Sequence, residues 1–224
     1  WSFARGYELD GKQNAQLGQE ALEICRGKDV VLIFVGLRDT EEAESYDRQH
    51  LELPAVQNAL IECIASANPN VVVVLHAGSP VRLPWLGKVK AVLLMGLGGQ
   101  MVGAATLDLL LGRANPSGKL AETWPLALED TPAYEEFGKR FNTQYRESVF
   151  VGYRYYESFD KPVQFPFGFS LSYTSFAIDN LELSQASLAP GETLEVSVRV
   201  RNTGSRVGKQ VLQLYVAPPA SALF

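Results

Sequence analysis

The stretch Asp29-Val-Val-Leu-Ile-Phe-Val-Gly36 is an apolar run that ends at a glycine, and Asn70-Val-Val-Val-Val-Leu75 repeats the same pattern. Continuous apolar runs of this kind are typical of strands that are buried on both faces of a parallel sheet. A third apolar run extends from Lys88 to Met95 and ends before a cluster of glycines. The three runs predict the central strands of one mostly parallel sheet.

Apolar residues at helical spacing separate the predicted strands. One helix is expected over Asn14–Cys25, a second from near Pro54 to the residue before Asn68, and a third over Gln100–Leu111. Strands that alternate with helices predict βαβ units with right-handed crossovers. The fold class that follows is α/β, a sheet flanked by helices over residues 1–130. Two further short strands are expected, at Trp1–Gly6 and Leu120–Trp124.

The helical periodicity ends near residue 130, and two different patterns follow. Residues 131–172 are crowded with aromatic side chains, which are costly to leave in water, so this segment is expected to be an ordered linker that packs on the sheet domain. From residue 173 to 224 apolar and polar residues alternate, as in 197–200 and 211–216. This alternation predicts the start of an antiparallel β-sandwich, truncated after about three of roughly seven strands.

Composition excludes several classes of function. The 224 residues carry a net charge of −5 and no Lys/Arg cluster, so a nucleic-acid partner is not expected. No apolar run approaches the roughly 20 residues of a membrane helix, and no membrane partner is expected. Cys25 and Cys63 lack the spacing of a metal or redox site and are predicted to be buried free thiols, and His50 and His76 are too far apart to suggest a histidine metal site. No cofactor is implied.

A loop rich in carboxylates directly follows the first predicted strand. Ligand crevices in open α/β sheets lie beyond the carboxyl ends of the strands, so this loop is a candidate for acid/base chemistry. Glycoside hydrolysis needs one carboxyl group to protonate the leaving oxygen and a second to attack or to activate water. A solvated surface loop is the alternative explanation. The acidic residues are Asp39, Glu41, Glu42, Glu44 and Asp47.

Other residues near the predicted strand ends are weaker candidates for catalytic or binding roles. Tyr46 is expected to supply an apolar wall beside a catalytic carboxylate, and Asp47 is expected to pair with Arg48 and so to stabilise the turn. Gly96-Leu-Gly-Gly99 lacks the Lys and Ser/Thr of a phosphate-binding loop, so it favours tight strand-to-helix packing, with a nucleotide site as the alternative. Ser79 lacks the flanking pattern of a nucleophilic serine.

Seven segments of the chain occur in an order that resembles the C-terminal half of family 3 glycoside hydrolases, the β-glucosidase group. They are Glu42-Ala-Glu-Ser-Tyr-Asp-Arg48, Leu51-Glu-Leu-Pro54, Val71 to Leu75, Gly98-Gly-Gln100, Gly112-Arg-Ala-Asn-Pro-Ser-Gly118, Gly152-Tyr-Arg-Tyr-Tyr156 and Phe165-Pro-Phe-Gly-Phe-Ser-Leu-Ser-Tyr173. The resemblance implies that residues 1–130 belong to the family's α/β sandwich domain, with an N-terminal strand and helix missing. It also implies that 173–224 begin a fibronectin type III-like domain.

The resemblance also implies a role for the acidic loop. The family's acid/base glutamate commonly lies in Glu-Gly-Tyr-Asp-Arg, which places it here on Glu44, with Glu42 as the fallback. Ser45 stands where the pattern usually has glycine. The nucleophilic aspartate of the family belongs to an N-terminal barrel domain that is absent here. The implied function is that of a retaining β-glycosidase that hydrolyses terminal β-glucosides. This chain supplies one part of that enzyme and is expected to be inactive alone.

The expected partners are β-linked glucosides or oligosaccharides and the missing barrel domain. Uncovered sheet surfaces would favour self-association, so a homo-oligomer stays open. The rival function is a non-catalytic carbohydrate-binding or interaction module, in which exposed aromatic residues of the linker would stack on sugars. Free cysteines favour a cytoplasmic location, while a periplasmic or secreted one stays open.

Overall fold

The computed structural model describes residues 1–139 and 141–218. Position 140 of the predicted linker and residues 219–224 of the predicted C-terminal domain lie outside the described residues. The described chain divides into two compact units, the first formed by residues 1–104 and 123–166 and the second by residues 105–122 and 167–224. The predicted parallel sheet lies in the first unit.

Three parallel strands form the sheet of the first unit, as the apolar runs predict. They are β1 (Val31–Gly36), β2 (Val71–His76) and β3 (Ala91–Leu94), in the order β1-β2-β3. The burial expected of the third run is wrong, because none of the residues Ala91–Leu94 is buried in this edge strand. Because β2 lies between two neighbours, its side chains are the most enclosed of the sheet. Those with no exposed surface are Val71, Val73, Val74 and Leu75. Full burial of such a side chain contributes about 1.5–3 kcal/mol, so β2 is a major part of the core.

Helices α1 (Ala15–Cys25) and α2 (Ala55–Ala67) pack against each other, and α3 (Val102–Leu110) follows β3. The Asn14 side chain caps the first turn of α1, because its Oδ1 accepts from the backbone N–H of Leu17 at 3.5 Å. Helix α2 begins directly after Pro54, where the missing N–H of proline costs nothing. The predicted bounds of these two helices are confirmed to within about one residue, and the α/β class is confirmed.

Buried Asn68 joins the ends of the two packed helices to the sheet. Its Nδ2 donates to the carbonyl oxygens of Cys25 at 3.0 Å and Lys28 at 2.8 Å, and its Oδ1 accepts from the backbone N–H of Asn70 at 2.8 Å. A buried amide is tolerated only when its hydrogen bonds are made. Asn68 therefore sets the turn that leads from α2 into β2.

Gln57 provides a second buried polar anchor, at the other end of the sheet. Its side chain is only 3% exposed, and it forms two hydrogen bonds with the backbone of Gly36, the last residue of β1. The N–H of Gly36 donates to Oε1 at 2.9 Å, and Nε2 donates to the carbonyl oxygen of Gly36 at 2.9 Å. This pair holds α2 to the point where the acidic loop leaves the sheet.

The rest of the first unit contains short elements only. Strand β4 (Trp124–Pro125) pairs antiparallel with β5 (Val163–Phe165), and α4 (Tyr153–Ser158) precedes β5. Trp124 packs edge-on against Phe165 with ring centroids 6.0 Å apart. The strand expected over Leu120–Trp124 is thus confined to its last residue and Pro125. Single 3₁₀ turns lie at Leu86–Lys88, Gly99–Met101 and Leu128–Asp130.

In the second unit, up to residue 218, β6 (Phe176–Leu183) pairs antiparallel with β7 (Val196–Asn202). A turn at the predicted position separates them, closed by a hydrogen bond from Glu192 N–H to the Ala189 carbonyl at 3.1 Å. Asn115 organises the approach to β6, since its Oδ1 accepts from Ser172 Oγ and from the Tyr173 N–H, each at 2.9 Å.

Three expectations are wrong in detail. Residues 1–6 form no strand, and Trp1 and Phe3 are almost fully exposed, so no packing stabilises an extended conformation there. Residues 211–216 alternate as a strand would, yet within the described part of the chain they pair with no neighbouring strand and their apolar side chains stay exposed. Cys63 is exposed although Cys25 is buried, and both are free thiols.

We expect Gln57→Leu to destabilise the first unit although it preserves side-chain volume. The backbone N–H and C=O of Gly36 would lose their partners, at about 1–2 kcal/mol for each partly buried group. Denaturant unfolding should show the loss, and hydrogen exchange should become faster at the Gly36 amide.

The matched control is Gln16→Leu, at an exposed glutamine of α1 that bonds only to Glu20. It should leave both readouts nearly unchanged. Equal effects of the two substitutions would contradict the anchoring role of Gln57.

Candidate functional site

The acidic loop leaves the carboxyl end of β1 and lies against the loop that leaves the carboxyl end of β2. Both Glu42 carboxylate oxygens accept from the backbone N–H of Gly78, at 3.0 and 2.9 Å, and Oε1 also accepts from the Ser79 hydroxyl at 2.7 Å. The Glu42 carboxylate is therefore fully engaged within this domain.

Arg48 closes the other end of the same loop. Its Nη1 donates to Ser79 Oγ at 3.0 Å and to the Pro80 carbonyl at 3.0 Å. The guanidinium thus contacts residues far along the chain, and the predicted ion pair with Asp47 is wrong. Burial lowers the pKa of Arg48, and the charges of Glu42 and Glu41 offset part of that effect.

An ion pair stabilises the start of the loop. Arg38 Nη2 lies 2.7 Å from Glu41 Oε1, and the Arg38 backbone N–H donates to Glu41 Oε2 at 3.0 Å. Burial raises the pKa of Glu41, but the hydrogen bonds from the side chain and backbone of Arg38 outweigh it, so the pKa lies below its ordinary value. Glu41 is held as a carboxylate and does not suit the role of a proton donor.

Glu44 lies at the tip of a tight turn between these anchors. The turn is closed by Tyr46 N–H, which donates to the Ala43 carbonyl at 3.3 Å, and Ser45 has a φ of 66°. The Glu44 side chain is exposed, and no hydrogen bond or ion pair engages it anywhere in the described part of the chain. Tyr46 is 66% exposed, so the apolar wall expected from it is not formed within this domain.

The geometry therefore sorts the acidic residues of the loop by what they can do. Glu41 and Glu42 stabilise the loop, whereas the Glu44 carboxyl group forms no hydrogen bond or ion pair in the described residues. Asp39 and Asp47 are also exposed. Sequence reasoning examined Ser79 only as a nucleophile and missed its role as an anchor. Its position after the strand that pairs with β1 was the available signal.

The other candidate motifs do not form a site. Gly98 packs so closely against Val102 that a Cβ atom would collide with the valine side chain, which agrees with tight packing as the reason for this glycine. Gly96 and Gly99 are not crowded, but both have a positive φ, 58° and 62°. Residues 1–139 and 141–218 contain no group of three or more His, Cys, Asp or Glu side chains placed to hold a metal ion. None of the helices described is both long and apolar enough to cross a membrane.

The aromatic residues of the linker are divided between contact and exposure. Tyr155 meets Tyr156 and Phe159 with centroids 5.2 and 5.3 Å apart, and Phe150 meets Phe159 at 5.1 Å, with the rings steeply inclined to one another. Tyr153 is half-buried, whereas other aromatic residues, Phe137, Phe141 and Tyr145, are exposed.

Comparison with known proteins adds to this geometry. The family model described as the glycosyl hydrolase family 3 C-terminal domain matches residues 9–173. Thermostable beta-glucosidase B of Acetivibrio thermocellus is 43% identical over 223 residues, which cover 99% of this chain and 30% of that protein. The exo-alpha-(1->6)-L-arabinopyranosidase of Bifidobacterium breve is 41% identical over 219 residues, 96% of this chain and 28% of that protein.

A solved structure gives the same result. The GH3 beta-glucosidase of Bifidobacterium adolescentis superposes with a TM-score of 0.85 and 42% sequence identity, over 91% of this chain and 30% of that one. The chain thus spans less than a third of the length of these relatives. Because the family model covers most of the chain and the fold agrees, this chain belongs to glycoside hydrolase family 3 and represents its C-terminal part.

Proposed function

We propose that the chain is the acid/base-carrying part of a retaining β-glycosidase that hydrolyses terminal β-glucosides, with Glu44 as the acid/base. The observation that carries the proposal is the contrast between two glutamates of one loop. Glu42 makes three hydrogen bonds within its own domain, whereas Glu44 is exposed and unengaged in the described residues. A general acid must reach the leaving oxygen of a substrate, which the unengaged carboxyl can do.

The backbone of the turn supports this assignment over the Glu42 fallback. Ser45 has a positive φ of 66°, a region in which glycine is favoured. The family pattern that the sequence resembles has glycine directly after the acid/base glutamate. The conformation required at position 45 therefore matches the alignment that puts the catalytic residue on Glu44.

In the proposed reaction Glu44 protonates the glycosidic oxygen while an aspartate of a separate barrel domain attacks the anomeric carbon. Glu44 then removes a proton from the water that hydrolyses the glycosyl-enzyme. The two carboxyl groups of a retaining enzyme lie about 5–5.5 Å apart, so the barrel must dock over the turn that carries Glu44. The residues of this chain alone are proposed to be inactive, because the proposed nucleophile belongs to the barrel domain.

We infer the substrate class from the names of the relatives. These names do not indicate that this part of the enzyme selects one sugar. The relatives named as a beta-glucosidase and as an arabinopyranosidase are 43% and 41% identical to it over nearly the whole chain. Since these similar segments occur in proteins named for different sugars, we propose that recognition of the sugar ring depends mainly on the barrel domain.

The domain boundaries remain part of the proposal. We propose an α/β sandwich domain over 1–130, an aromatic linker over 131–172 and a fibronectin type III-like domain that begins at 173. The antiparallel pair β6–β7 supports the last of these, since such a domain is built from antiparallel strands. We also propose that the chain self-associates through uncovered sheet surfaces. A cytoplasmic location is a separate proposal.

The rival function, a carbohydrate-binding module, has less support. Sugar stacking needs exposed, flat aromatic faces, whereas Tyr155 and Tyr156 meet at an interplanar angle of 74° within an aromatic cluster. The exposed rings elsewhere in the linker could contact a sugar or an apolar protein surface equally well, so they do not favour sugar binding.

The central prediction concerns Glu44→Ala in the complete enzyme. Hydrolysis of phenyl β-glucoside, which has a poor leaving group, should fall by about 10²–10⁴, because general acid catalysis is lost. A dinitrophenyl β-glucoside needs little protonation of its leaving group, so formation of the glycosyl-enzyme should be affected much less. Azide should restore turnover of the activated substrate and yield a β-glucosyl azide.

The control for this experiment is Glu23→Ala, at an exposed glutamate on α1. It should keep the wild-type rate on both substrates. An unchanged rate of Glu44→Ala on phenyl β-glucoside would overturn the assignment and make Glu42 the next candidate.

The conformation at Ser45 generates a further prediction. Ser45→Gly should retain wild-type kinetics, because glycine adopts a φ of 66° without a steric penalty. Ser45→Val should lower kcat, because a β-branched residue cannot hold that conformation without about 1–2 kcal/mol of strain.

Ser148 is the matched control, since it is exposed and also has a positive φ, 51°. Ser148→Val should cost similar stability and leave kcat unchanged. Normal kcat in Ser45→Val would show that the turn geometry does not matter for catalysis.

A further inference from the structure

The loop that carries Glu44 is held at both ends by one hydroxyl group. Arg48 Nη1 donates to Ser79 Oγ at 3.0 Å, and Ser79 Oγ lies 2.7 Å from Glu42 Oε1. A guanidinium can only donate and a carboxylate can only accept, so the single proton of the serine hydroxyl must point to Glu42. The hydrogen bonds therefore run in one direction, from Arg48 through Ser79 to Glu42.

The neighbouring backbone fits this arrangement. The Gly78 N–H donates to both oxygens of Glu42, at 3.0 and 2.9 Å. A Cβ atom at position 78 would lie 2.8 Å from the side chain of Leu97 and 3.2 Å from Glu42 Oε1, so a side chain there would crowd both neighbours. Arg48 also donates to the Pro80 carbonyl at 3.0 Å, which ties the guanidinium to the same Gly78–Pro80 segment.

The anchors lie on either side of Glu44 in the sequence. Glu42 precedes it by two residues and Arg48 follows it by four, and the tight turn at Ala43–Tyr46 lies between them. A carboxyl group on a turn that is fixed at both ends has few positions to explore. Fixing the position of a reacting group in advance is a large source of catalytic power, and a displacement of about 1 Å can cost about 10²-fold in rate.

We propose that Glu42, Ser79 and Arg48 form a positioning clamp that holds the turn bearing Glu44 in its catalytic place. Glu42 and Ser79 are positioning residues, and neither touches the substrate. This inference rests on the proposed role of Glu44, and it gives the second conspicuous glutamate of the loop a separate task.

The clamp is tested in the complete enzyme with Ser79→Ala and Ser79→Thr. Alanine removes the hydroxyl that links Arg48 to Glu42, so kcat for phenyl β-glucoside should fall by about 10–10²-fold. Threonine keeps the hydroxyl and should restore at least half of the wild-type kcat. Azide should not rescue Ser79→Ala, because the Glu44 carboxylate is still present and only displaced.

Glu42→Gln supplies an independent test. One amide nitrogen would face the donating N–H of Gly78, so the clamp should loosen and kcat should fall without azide rescue. Amide hydrogen exchange should accelerate in residues 42–48 of both Ser79→Ala and Glu42→Gln. A matched control is Glu62→Gln, which breaks a surface ion pair with Lys88 and should change neither readout.

The outcomes separate the clamp from the proposed function. Normal kcat in Ser79→Ala and Glu42→Gln, with Glu44→Ala still defective and rescued by azide, overturns the clamp alone. Azide rescue of Glu42→Ala overturns the assignment of Glu44 and the clamp with it. A lowered melting temperature would show that Ser79→Ala unfolds globally. In that case the kcat values of Ser79→Thr and Glu42→Gln decide whether the clamp exists.

Discussion

The parallel pairing of β1 with β2 is the constraint on which the rest of the site depends. In the ladder Gly36 lies opposite His76, so both strands end at the same edge of the sheet. Two loops that are far apart in the sequence therefore emerge side by side. Gly36 packs directly on the backbone of His76, where a Cβ atom would collide, so the close approach requires a glycine. Gln57 holds the same strand end from the helix side.

The acidic loop combines two kinds of carboxylate, which differ in the contacts that they make. Carboxylates that accept several hydrogen bonds from their own domain act as structural ties. Glu41 and Glu42 are of this kind, bound to Arg38 and to the Gly78–Ser79 segment. Glu44 has no such bonds in the described residues, and its environment depends on what covers the turn. In the proposed function, the barrel domain is what covers this turn.

The sequence predicted those features that arise from local periodicity. The buried strands and helices α1 and α2 were predictable, because their apolar residues recur at strand or helix spacing. The wrong pairing of Arg48 with Asp47 shows the limit of this reasoning, since the partner of Arg48 lies 31 residues away at Ser79. Residues 211–216 show a second limit, because an alternating pattern forms a strand only when a neighbour supplies hydrogen bonds. The different contacts of Glu42 and Glu44 were likewise not visible in the sequence, because the partners of Glu42 lie at Gly78 and Ser79.

The most direct test of Glu44 as the acid/base is a crystal structure of the complete enzyme with an unhydrolysable thio-β-glucoside. We expect a Glu44 carboxyl oxygen within about 3.2 Å of the glycosidic sulfur. We also expect the nucleophilic carboxylate about 5 Å from Glu44, with Glu42 still bound to Gly78 and Ser79. A structure in which Glu42 leaves those bonds and contacts the glycosidic atom, while Glu44 faces solvent, would contradict this assignment.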